Sequence, residues 1–68
     1  MEYGRIVRIV RSHGEVETYV VAESDKAKAV AKLAARAATK LDRVEAIGRA
    51  SADLLKAMGL APGEFSKA

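Results

Sequence analysis

Thr39-Lys40-Leu41-Asp42-Arg43-Val44-Glu45-Ala46-Ile47-Gly48-Arg49-Ala50-Ser51 decides how this chain folds, because it either bends a long helix into two or carries one helix straight through. Thr39-x-x-Asp42 resembles a capping box, and Asp42-x-x-Glu45 fits one better, so either can start a new helix. Upstream, Val30, Leu33, Leu41 and Val44, with Ala34 and Ala37, form one apolar stripe at helical spacing. Downstream the stripe continues through Ile47, Ser51, Leu54, Leu55 and Met58, but its centre drifts around the helix. Drift of that kind means a break or a 3.5-residue repeat. The reading adopted is a bend near 39–42, with helices over about 25–39 and 43–58. The alternative, one helix from 25 to 58, would be about 50 Å long and would need a second copy to cover it.

The flanks are better marked. Ser24-Asp25 is a helix N-cap, followed by alanines at 27, 29, 31, 34, 35, 37 and 38. Met58-Gly59-Leu60 with Pro62 two residues on is a helix stop with its apolar contact. Residues 60–68 then read as a tail, whose lone Phe65 is expected to fold back on the core. Before the helices, Arg5–Arg11 and Val16–Ala22 are rich in β-branched residues and predict an antiparallel hairpin over about 5–22, turning at His13-Gly14. The expected pairing sets Ile9 opposite Thr18 and Val7 opposite Val20, with Ile6, Arg8, Val10, Tyr19 and Val21 on the other face. The fold class predicted is therefore α+β, a ββαα chain forming one domain over 1–68.

Sixty-eight residues bury a small core, worth about 3–5 kcal/mol of net stability. Such chains usually carry a staple. There is no cysteine, which rules out a disulfide, so self-association as a homodimer is the favoured one. The N-terminus shows no signal-peptide pattern, and no stretch approaches the ~20 apolar residues of a membrane span. A cytoplasmic protein with no membrane partner is expected.

Chemistry is sparse. The single histidine, His13, falls at the hairpin tip, and no third residue is placed to orient its ring toward Ser12. Glu15 and Glu17 beside it are solvated neighbours rather than a walled pair. Metal, cofactor and catalytic function are not expected. Nor is there a phosphate-binding glycine loop.

One pattern stands out. Lys28, Lys32, Arg36 and Lys40 recur every four residues, with Arg43 in the same arc, and residues 26–41 contain no acid. On a helix they make a basic ridge about 120° wide, opposite the apolar stripe. Beyond residue 43 the charges balance, so the net +3 lies in the first two-thirds of the chain. A ridge of one sign suits an acidic protein surface or a nucleic-acid backbone. The apolar hairpin face Ile6, Arg8, Val10, Tyr19 and Val21 is a second candidate surface, for a partner or a second copy. The chain has no Asn or Gln to read adenine and few aromatics to stack on bases. The expectation is a small protein-binding regulator or inhibitor acting by surface occlusion. Phage- and mobile-element-type inhibitors of host complexes such as CRISPR belong to that class. The alternative is nonspecific nucleic-acid binding through the ridge.

Overall fold

The computed structural model describes residues 3–68. The strands β1 (Tyr3–Val10) and β2 (Val16–Val21) form the expected hairpin. The turn differs. Arg11 N–H donates to the Glu15 carbonyl and Gly14 N–H to the Arg11 carbonyl, closing a three-residue loop with Gly14 at φ 99°. A loop of two or four residues would set Val7 opposite Val20. The observed loop sets Val7 opposite Tyr19 and Ile9 opposite Glu17. That one-residue slip moves every β2 side chain to the other face. Tyr19 and Val21 therefore join Val7 and Ile9, not Ile6, Arg8 and Val10.

Helix α1 (Lys26–Ala37) starts where expected, with the Asp25 carboxylate accepting from Lys28 N–H at 3.0 Å. Its buried Ala29 and Leu33, with Val30 and Ala37, lie on Val7, Ile9 and Val21. Ala38 is already extended (ψ 155°), which ends the helix two residues before the predicted 39.

The second half of the chain departs from the two-helix expectation, and the single long helix is excluded with it. Thr39 N–H donates to the Asp42 carboxylate at 2.9 Å, and Asp42 N–H returns to the Thr39 carbonyl at 3.2 Å. The Thr39–Asp42 pairing is real, but it closes a single turn. Beyond that turn the chain runs as β3 (Arg43–Ser51), antiparallel to β1. Three physical terms favour the strand. Gly48 would cost a helix interior about 1 kcal/mol. A two-stranded hairpin is marginal alone and gains from a third strand. Val44 and Ala46 alternate onto the α1 face and complete its core. The register slips once, leaving Ile47 without a β1 partner as a bulge. Arg5 and Arg49 are directly opposed, and both guanidinium groups rest on the Tyr3 ring, 5.2 and 5.0 Å from its centroid.

Helix α2 is short (Ala52–Ala57). Ser51 is its N-cap, accepting from Leu54 N–H at 3.1 Å, rather than a member of a helix stripe. The stop at Gly59 is a Schellman motif: Leu60 N–H donates to the Leu55 carbonyl and Gly59 N–H to that of Lys56. Leu55 and Leu60 then pack with Val20, Ala22, Ala50 and Ile6 in a second apolar cluster. This cluster lies on the sheet face opposite α1. Gly4 permits it, since a Cβ there would collide with the Val21 carbonyl and meet Leu55 Cδ2 at 3.0 Å.

The predicted tail is a strand. Gly63 N–H donates to the Ala22 carbonyl, Ala22 N–H to that of Glu64, and β4 (Phe65–Lys67) pairs with β2. Phe65 does fold back, its ring edge-on to Tyr19 at 6.1 Å. The result is a four-stranded antiparallel sheet of order β3-β1-β2-β4, with one helix on each face.

Candidate functional site

Of the five ridge cations, Lys28, Lys32 and Arg36 stand exposed along α1 at four-residue spacing. Lys40 and Arg43 do not extend that row. The helix has ended, so Lys40 lies in the Thr39–Asp42 turn and Arg43 opens β3, where its Nε is 3.9 Å from Glu45 Oε1. Among the described residues, no ion pair involves Lys28, Lys32 or Arg36.

The hairpin face divides in the same way. Ile6 packs into the α2 cluster, while Tyr19 and Val21 lie under α1. Arg8 and Val10 remain on the uncovered end of the sheet, where Arg8 donates to Glu45 at 2.9 Å. The five residues do not form one surface.

Lys32 and Arg36 form one wall of an open groove of about 740 Å³. The other wall is Met58 and Leu60 from the end of α2, and the floor is the Gly63–Ser66 stretch with Phe65. Gly63 lies beneath Lys32 in the left-handed conformation (φ 87°), which favours glycine there. Glu64 also lines the groove, but its Oε1 accepts from Ala61 N–H at 2.8 Å. β4 forms one edge of the sheet. Glu64 C=O and Ala68 N–H point inward to β2. By the alternation of an antiparallel ladder, the N–H and C=O of Phe65 and Lys67 point outward, away from β2, and Phe65 lines the groove. Sequence reasoning found the cationic wall through its spacing. It missed the other wall and the floor, which come from segments brought together only by the β3 and β4 pairings.

The other polar cluster is structural. Arg11 donates to the Ala37 carbonyl (2.7 Å), Asp42 (2.8 Å) and Glu17 (2.7 Å). Asp42 also accepts from Ser12 N–H and Thr39 N–H, and Tyr19 donates to Glu17 at 3.0 Å. The Thr39 backbone and Arg11 hold the Asp42 carboxyl far below its usual range, and Arg11 lowers that of Glu17. Burial, then Glu17, pushes the Tyr19 phenol up. The two carboxylates keep Arg11 charged. Locked ions of this kind fasten the end of α1 to the hairpin and the turn. His13, at the hairpin tip, lies 3.8 Å from Glu15. No group of three metal-ligating side chains occurs among the described residues.

Comparison with protein-family models, with curated proteins and with solved structures gave no match. Among the described residues, no helix is long and apolar enough to cross a membrane.

Proposed function

We propose that the chain is a small, non-catalytic, protein-binding regulator or inhibitor that acts by occluding an acidic partner surface, with the groove between α1 and β4 as its contact. One observation carries this reading: Lys32 and Arg36, which have no acidic partner among the described residues, stand over apolar Met58, Leu60 and Phe65 beside the β4 edge of the sheet. Interfaces draw their energy from apolar anchors of this sort and their specificity from charge at the rim.

The second reading, backbone-only nucleic-acid binding, is favoured by the acid-free stretch 26–41. It is weakened because only three ridge cations share the helix. Three phosphate contacts give a salt slope of at most about −2.7. Pull-down with tagged protein from host lysate, with and without nuclease, separates the two. The protein-binding reading expects a stoichiometric protein that survives nuclease and is lost with the double variant Lys32→Glu, Arg36→Glu. Capture that disappears with nuclease, or that ignores the double variant, overturns it.

A further inference from the structure

We infer that an extended acidic segment of a partner protein adds to the sheet as a fifth strand beside β4, a mode of binding that rests on the protein-binding reading above. The outward N–H and C=O of Phe65 and Lys67 are a template for a strand. The groove wraps around this edge and reaches both faces of the sheet. Lys32 and Arg36 belong to the α1 face, Met58 and Leu60 to the α2 face. Side chains of an added strand alternate between faces. The occupant is therefore an extended segment in which acidic residues, set against Lys32 and Arg36, alternate with apolar residues set against Met58 and Leu60. Glu64 is held by Ala61 N–H and, among the described residues, makes no ion pair with either cation. The opposite edge is a poorer template, because β3 bulges at Ile47 and carries Arg43 and Arg49.

The probe is a synthetic peptide of alternating glutamate and valine. Its controls are the same composition in two blocks and a thymidine oligonucleotide of equal charge. Isotope-labelled full-length protein is titrated with each. The alternating peptide should slow exchange of the Phe65 and Lys67 amides and bind about tenfold more tightly than the block peptide. Lys67→Pro removes an outward donor without taking one from the β2 ladder, and should abolish that preference. N-methylating the probe on alternate amides tests the same contact with the protein unchanged: one set of positions should abolish binding and the other should leave it. Equal binding of the two peptides, tighter binding of the oligonucleotide, or indifference to both methylation sets overturns strand addition. A natural partner captured by the Lys67→Pro protein but lost with Lys32→Glu, Arg36→Glu leaves the protein-binding reading standing and removes the strand. A partner indifferent to both changes removes the reading itself.

Discussion

The Arg11 guanidinium meets the Asp42 carboxylate at 2.8 Å across thirty-one residues of sequence, and the side chain of Asp42 is only 4% exposed. Through this contact the hairpin, the end of α1 and the turn before β3 share one ion pair. Asp42 and Glu17 both have folded pKa values below their ordinary 3.8 and 4.5. Groups of this kind add stability above the unfolded pKa and lose it as pH falls toward the folded one. Urea unfolding followed by circular dichroism should show the midpoint falling between about pH 5 and about pH 2. In Asp42→Asn the midpoint should be lower at neutral pH and the acid-dependent fall smaller. A variant with the parent's full pH dependence would show that Asp42 is not the responsive group.

Leu33, on the inner face of α1, is fully buried, whereas Leu41 is 79% exposed. Leu33→Ala should cost about 2–5 kcal/mol, a large part or all of the net stability of about 3–5 kcal/mol. Leu41→Ser should stay within about 0.5 kcal/mol of the parent. Thermal melts of the two variants check this directly. The pair also tests the stripe read from sequence, in which both leucines were core.

Gly48 distinguishes strand from helix. Its φ is not positive, and a Cβ there meets nothing within 4 Å. In a strand, Gly48→Val should stabilise more than Gly48→Ala, within a range of about 1 kcal/mol. In a helix the order reverses. Denaturant midpoints of the two variants, ranked against the parent, give the answer.

Gly4 sits where α2 comes nearest the sheet. Gly4→Ala should cost about 1–3 kcal/mol, because the methyl group meets the Val21 carbonyl and Leu55 together. Pairing it with Leu55→Ala should recover only what Leu55 Cδ2 contributes, since the carbonyl does not move aside. A double-mutant cycle measures that coupling.

The legible parts of the fold were those written in local chemistry. Asp25 capped α1, Gly59 stopped α2, and β-branched runs made the hairpin. The missed parts depend on distant partners. β3 passes into α2 at Ser51 with no loop between them. The Ile47 bulge also breaks the two-residue alternation, so Val44, Ile47, Ser51 and Leu54 fall at helical spacing by coincidence. The hairpin register turned on one loop residue, a difference that Ser12-His13-Gly14-Glu15 leaves open. For the site, Lys28, Lys32 and Arg36 were readable because four-residue spacing is a property of one helix. Met58, Leu60 and Phe65 were not, because a groove wall gathered from three segments has no signature in any of them.

The Ile47 bulge has one more effect. Its kink, flanked by Arg43 and Arg49, makes the β3 side of the sheet a poorer template for another strand than the β4 side, whose three residues carry one cation, Lys67. With strand addition confined to the β4 side, each copy has a single edge to offer. Two copies joined through that edge would close as a pair and would not grow into a fibre.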